Sequence, residues 1–277
     1  MSGWAGPAWG EPSPAASQAV PLRTRAEAPN ACYRAEGGIL AGFVVLGASV
    51  AGVSHRLANR RGEDCYGWVT NAAGPERLAL VVADGVGSAG RGGEGAEIAV
   101  RASLDYLAGC RDWGRVECGR AVAAANQALL DAAGGSAGEL STTLVVALVG
   151  RRDVLLERVG DSTAWLLTGG KWRELFASPS DDVPTRAPTP ALPSSPPGVE
   201  QASVQLGAGG VLVLVTDGVG DPLRDGPETV APALAGVLQG TAPGSLSPLE
   251  LARAIDFSRR GCHDDRTLVA IWPLQQE

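Results

Sequence analysis

Residues 78–85 read LALVVADG and residues 211–218 read VLVLVTDG. Each is an apolar run of strand length that ends on an aspartate, Asp84 or Asp217, followed at once by glycine. Two more strand-like runs carry aspartates at their edges: Asp161 follows LLERVG, and Asp264 and Asp265 stand just ahead of TLVAIW. A carboxylate at the edge of a buried strand is costly unless something pairs with it. Lys and Arg are sparse around these positions, Arg266 apart. Acidic groups without basic partners point to divalent cations as their counter-charge.

The geometry supports that reading. Asp84, Asp161 and Asp217 fall at the C-terminal ends of predicted strands, and Asp264 falls just before one. In an antiparallel sheet one strand's end lies beside its neighbour's start, so all four can gather on one rim. A single Asp-Gly is a turn signal, and Asp225-Gly226 reads as one. Two of them behind strongly apolar strands, with two further rim aspartates, favour a metal site.

Outward from these runs, strands are predicted over 41–50, 65–71, 78–83, 142–149, 153–159, 163–168, 203–206, 211–216 and 267–272, short and rich in Val and Leu. Helices are predicted over 93–109, 116–133, 227–239 and 248–260. The last opens on Ser247-Pro248-Leu249-Glu250, a capping box with proline in the first helical position, and Gly261 supplies a stop. Residues 1–38, rich in Pro, Ala, Gly and Ser, read as a disordered tail ahead of one globular unit, 39–277. Residues 177–200 hold seven prolines and read as a surface loop or flap. Strands with helices at intervals, but without βαβ alternation, predict an α+β fold of antiparallel sheets covered by helices.

Bulk properties exclude several classes. Net charge is −7 with a pI near 5.0, and no basic block stands out, which argues against nucleic acid as a partner. The five cysteines form no CxxC, so neither a disulfide framework nor a zinc ribbon is expected. Free thiols suit a reducing cytosol, and a cytoplasmic location is expected. The N-terminus lacks the pattern of a signal peptide. The apolar stretch 39–53 falls short of the ~20 residues a membrane span needs and reads instead as buried strand. Residues 85–90 spell GxGxxG after a strand and before a helix, with Asp105 about twenty residues on. A dinucleotide fingerprint, however, places that acid at the end of a second strand, whereas Asp105 falls inside a predicted helix. A phosphate-cradling Walker loop is excluded by the missing Gly-Lys-Ser/Thr.

Six segments then occur in an order that resembles the metal-dependent serine/threonine protein phosphatases of type 2C, bacterial branch. They are GASVAGVSH with GEDCYGW, VVADGVGSAG with GAEIAV, STTLVVALV, RVGDSTAWLL, LVLVTDGVGD and DDRTLVAIW, together spanning residues 45–272 or so. The resemblance implies a four-layer α-β-β-α sandwich of two packed antiparallel sheets. It also implies two Mn²⁺ or Mg²⁺ ions at one edge. By that likeness Asp84 bridges both ions, Gly85 offers its carbonyl to the second, and Asp217 and Asp264 bind the first. Glu63 and Asp64 match the acidic pair that holds metal-bound waters, and Asp161 and Asp221 match ligands of a third, weaker ion. Hard oxygen donors suit either cation, which activates water and offsets phosphoryl charge without a protein nucleophile. The implied partner is a phosphorylated protein, such as the product of a Ser/Thr kinase; neither nucleic acid nor membrane is expected.

The chain departs from the family pattern in two places. The usual phosphate-binding arginine is replaced by Asn59, leaving Arg56, Arg60 and Arg61 nearby, of which Arg56 and Arg60 are the candidates. The histidine after the bridging Asp-Gly is replaced by Val86 and Gly87. His55 is taken as a catalytic residue beside Asp84 and Asp64, and His263 as a second candidate proton donor. The expected activity is hydrolysis of phosphoserine and phosphothreonine in proteins. The alternative, motivated by these two departures, is a pseudophosphatase that acts as a binding or regulatory module.

Overall fold

A computed structural model of the chain describes residues 32–71, 77–86, 88–135, 137–176, 189–225, 230–240, 244–259 and 261–274. In chain order its elements begin with β1 (Tyr33–Leu40), β2 (Phe43–Val50), α1 (Val53–Leu57), β3 (Asp64–Thr70), β4 (Leu78–Asp84), α2 (Gly92–Gly109) and α3 (Arg115–Ala133). They continue with β5 (Leu144–Val149), β6 (Asp153–Val159), β7 (Thr163–Thr168), β8 (Lys171–Glu174) and β9 (Glu200–Gln205). The last are β10 (Val211–Val215), α4 (Asp217–Arg224), α5 (Val230–Gln239), α6 (Pro248–Ile255) and β11 (Arg266–Pro273). One sheet has the order β1-β2-β11-β10-β7-β8 and the other β3-β4-β5-β6-β9. Every neighbouring pair is antiparallel.

The apolar runs are continuous because each central strand is covered on both faces. Along β4, Leu78, Leu80 and Val82 point between the sheets, where they meet Tyr66, Trp68, Leu212, Leu214 and Ile271. The alternate residues Ala79, Val81 and Ala83 face α2 and α3. On the other sheet, Val211, Val213 and Val215 face α4, α5 and α6. Period-two alternation is therefore present but hidden, with one apolar class per face. Each large side chain so buried contributes ~1.5–3 kcal/mol, and three such layers of apolar contact hold four layers of backbone together.

Several elements differ from the sequence-based expectation. Residues 33–38 do not belong to a tail: β1 pairs with β2 along its whole length, Tyr33 opposite Val50 and Leu40 opposite Phe43. Its adjacent glycines and charged residues hide a strand that lies at a sheet edge and so needs no two-sided apolar cover. The rest of the predicted tail, 1–31, lies outside the described residues. The predicted helix 248–260 ends at Ile255, well before Gly261. Its capping box forms as expected, Glu250 N donating to Ser247 Oγ at 3.2 Å and Ser247 N to Glu250 Oε2 at 2.8 Å. Beyond Ile255 the chain turns so that Phe257 stacks against the Arg266 guanidinium at 4.6 Å and Arg259 meets Asp225 at 2.6 Å. Of the predicted flap, 177–188 lie outside the described residues. The stretch after them is packed: Leu192 is fully buried and exchanges both backbone hydrogen bonds with Thr142. The stretch 39–53 is β2 with its flanks, and no described helix is long and apolar enough to cross a membrane. Strand β4 lies antiparallel to both neighbours, which removes the parallel βαβ unit a dinucleotide fingerprint requires. None of the five cysteines forms a disulfide.

Candidate active site

One rim of the sandwich collects the ends of β4 and β10 and the starts of β3 and β11. Asp64 and Asp84 stand directly opposite each other in the β3–β4 register. Asp217, on the other sheet, is the first residue of α4, immediately after Thr216. Thr216 ties the two sheets together: its hydroxyl donates to Asp64 Oδ2 at 2.9 Å and accepts from Thr267 N at 3.0 Å. Asp84 is braced in turn by two threonines ahead of β5. Its N–H donates to Thr143 Oγ1 at 3.1 Å, and its carbonyl accepts from Thr142 Oγ1 at 2.8 Å.

Both Asp-Gly pairs have a steric cause beyond turn-making. A Cβ on Gly85 would lie 2.2 Å from the Gly92 carbonyl carbon, where α2 begins. A Cβ on Gly218 would lie 1.9 Å from the Asp265 carbonyl oxygen. Glycine thus lets α2 press against the end of β4, and lets α4 press against the segment leading into β11. These two contacts bring the rim aspartates to one place.

The electrostatics follow from that crowding. Burial, then the charges of Asp265 and Asp217, holds the Asp64 carboxyl well above the usual carboxylate range. Burial, Asp64, Asp217 and Asp264 do the same to Asp84. Burial followed by Asp264 and Asp161 pushes Asp217 up to about 7. Among the described residues, the buried oxygens Asp64 Oδ1, Asp217 Oδ1 and Glu63 Oε2 have no hydrogen-bond partner. Orphaned, mutually repelling carboxylate oxygens suit hard divalent cations. Among the described residues no three acidic, His or Cys side chains close into a ready cage. Mg²⁺-type sites need none, since they keep several waters and few protein ligands.

A family model described as protein phosphatase 2C matches residues 51–252, well over half of the chain. The chain belongs to the protein phosphatase 2C family. Among solved structures, a serine/threonine phosphatase of S. agalactiae is similar with a TM-score of 0.65 and 17% identity, over 83% of this chain and 99% of that one. The Mycobacterium tuberculosis serine/threonine phosphatase PstP/Ppp gives 0.60 and 22%, over 84% and 99%. RsbX, solved in complex with magnesium, gives 0.57 and 14%, over 86% and 98%. At these identities the likeness carries the fold, which is the expected pair of antiparallel sheets with helices. No curated protein matches the chain.

In this protein phosphatase 2C chain the candidate acids gather along the rim, and the candidate arginines stand apart. Asp64, Asp84 and Asp217 converge at the rim, and the exposed Asp264 lies close enough for its charge to raise the pKa of both Asp84 and Asp217. Asp161 acts in the same way on Asp217 and Asp221, which places it at the α4 side of the rim. Glu63 precedes Asp64, its backbone carbonyl accepting from Gly85 N at 3.2 Å. The arginines differ. Arg56 is engaged by Asp256 at 3.2 Å and by the Tyr33 hydroxyl at 3.2 Å. Arg60 is exposed on the loop after α1, and its charge reaches Glu63.

Asp265 has a role that its place beside Asp264 did not disclose. It is 2% exposed and accepts from three donors: Gly52 N at 2.6 Å, His55 Nδ1 at 2.9 Å, and Glu63 N. A carboxylate only accepts, so Nδ1 carries the His55 proton and Nε2 faces Glu63 Oε1, 3.8 Å away. Asp265 thereby links β11 to the α1 and β3 loops. His263 is exposed, and its carbonyl accepts from the Ser54 hydroxyl at 3.1 Å. Thr216, Thr142 and Thr143 were equally silent in the sequence. Threonines at strand ends are the signal available there, but it becomes specific only with the register.

Proposed function

We propose that this protein hydrolyses phosphoserine and phosphothreonine in proteins, using Mn²⁺ or Mg²⁺ held at the aspartate rim. The observation that carries the reading is the cluster of Asp64, Asp84 and Asp217: Asp64 Oδ1 and Asp217 Oδ1 are buried without a partner among the described residues, and burial, followed by the charges of neighbouring aspartates, drives all three pKa values upward. In this reading Asp84, Asp217, Asp264 and the Gly85 carbonyl would hold the cations, and Glu63 and Asp64 would hold the waters bound to them. When bound, the cations activate water and offset charge on the phosphoryl oxygens.

The chain's own residues do the rest. Arg60, free of the Asp256 contact that holds Arg56, binds the phosphate as a charge-assisted donor. His55, oriented through Nδ1 by Asp265, presents Nε2 toward the rim and, when protonated there as well, gives that proton to the leaving serine or threonine oxygen. The Thr216 and Thr143 hydroxyls fix Asp64 and Asp84. A non-catalytic module has no use for such a cluster, which destabilises the fold unless cations fill it. The reading is tested with a phosphothreonine peptide and Mn²⁺. Arg60→Ala should raise KM about tenfold with kcat nearly unchanged, while Arg56→Ala leaves both near wild type. The reverse ranking would move the phosphate site to Arg56.

A further inference from the structure

Asp221, the candidate ligand of a third ion, already has a cation beside it. Arg224, one helical turn on in α4, donates from Nη1 to Asp221 Oδ1 at 2.6 Å. An exposed pair of this kind is normally weak, because both side chains must be ordered to form it. Here the ordering has been done elsewhere. Glu174, on β8, grips the same guanidinium through two bonds, Nε to Oε2 at 3.0 Å and Nη2 to Oε1 at 2.5 Å. Glu174 is itself fixed: the Thr163 hydroxyl donates to Oε1 at 2.8 Å. Arg158 lies behind Thr163, 4% exposed, forked onto Glu200 at 3.2 and 3.0 Å and stacked on Phe176 at 4.7 Å. Burial pushes the Glu174 carboxyl up, but its bonds to Arg224 and Thr163 outweigh this and hold it below the usual range. The guanidinium therefore sits on a rigid bidentate support, with one nitrogen left for Asp221.

We propose that Arg224 is a built-in counter-cation for Asp221 that weakens binding of a third metal ion, so that the rim works as a two-cation centre. The inference rests on the two-metal reading above. A divalent ion shared by Asp161 and Asp221 would face the guanidinium at a few ångströms, a like-charge contact strong enough to shift affinity on the order of tenfold.

Calorimetric titration of the EDTA-stripped full chain with Mn²⁺ tests it, with folding of each variant checked by circular dichroism. Arg224→Gln should leave the tighter class of sites unchanged and reveal or tighten a weaker class about tenfold. Arg224→Lys, which keeps the charge, should not. Adding Asp221→Asn to Arg224→Gln should abolish the gain. A gain that survives Asp221→Asn, or no gain in Arg224→Gln, overturns the proposal. Asp221→Asn alone gives a second check that leaves Arg224 in place: it should change the wild-type isotherm little. Loss of a site as tight as the others in that variant would mean that Arg224 suppresses nothing. If the wild type bound no Mn²⁺ at all, the two-metal reading itself would fall, an outcome distinct from an intact tight class without an Arg224 effect.

Discussion

At the scale of single residues, the site is built from acids whose charge the fold does not neutralise. Asp217 makes the consequence measurable. Its pKa rises to about 7 in the metal-free protein, against ~3.9 for an unperturbed aspartate. The folded state thus holds a proton that the unfolded chain gives up. The stability this confers is present below ~pH 4 and disappears as pH rises through 7. Asp64 and Asp84 act in the same sense. In EDTA the melting temperature should fall between pH 5 and 8, and saturating Mn²⁺ should flatten the fall by replacing the protons. A melting temperature in EDTA that rises over this range would contradict the assignment. Asp265 makes a second test. All three of its partners are donors, so an amide in its place must turn its NH₂ toward one of them. Asp265→Asn should cost ~1–3 kcal/mol by urea denaturation and lower Mn²⁺-dependent kcat at least tenfold with KM little changed, since His55 loses its orientation. The rim aspartates themselves were legible in the sequence, because charge at the end of an apolar run needs a reason. Asp265 was visible but without a role, since its partners come from positions 52, 55 and 63, which only the fold brings to it.

At the scale of elements, the Asp-Gly steps do more than turn the chain. Gly218 lets the first turn of α4 rest on the Asp265 carbonyl. Gly218→Ala should force α4 away from β11 and cost ~1–3 kcal/mol or more, seen as a lower urea midpoint. It should also weaken Mn²⁺ affinity, because Asp217 rides on α4. Full stability and affinity in that variant would show that α4 is free to shift. The central strands were readable because their apolar runs are long and bounded by Gly or Asp. Strands β1 and β8 were missed for a shared physical reason: both are edge strands, exposed enough to keep charged residues such as Arg34, Glu36, Lys171 and Arg173. Helix α4 was missed because its sequence, DGVGDPLR, reads as a turn until packing against β10 and β11 supplies the stabilisation that its glycines and proline withhold.

At the scale of the molecule, two antiparallel sheets face each other across one apolar layer, and helices cover both outer faces. That arrangement turns four dispersed sequence positions into one rim, since alternate strand ends fall together. The order of motifs along the chain carried the architecture, whereas no local pattern disclosed which sheet each strand joins. The claim on which the account depends is that this rim binds divalent cations and uses them to hydrolyse phosphate monoesters. The direct measurement is hydrolysis of p-nitrophenyl phosphate and a phosphothreonine peptide in Mn²⁺, Mg²⁺ or EDTA, for the wild type and Asp84→Asn. Turnover with Mn²⁺ is expected, with its loss in EDTA and a fall of at least a hundredfold in Asp84→Asn. Turnover that persists in EDTA or in Asp84→Asn, or none on either substrate with Mn²⁺ bound, would contradict it.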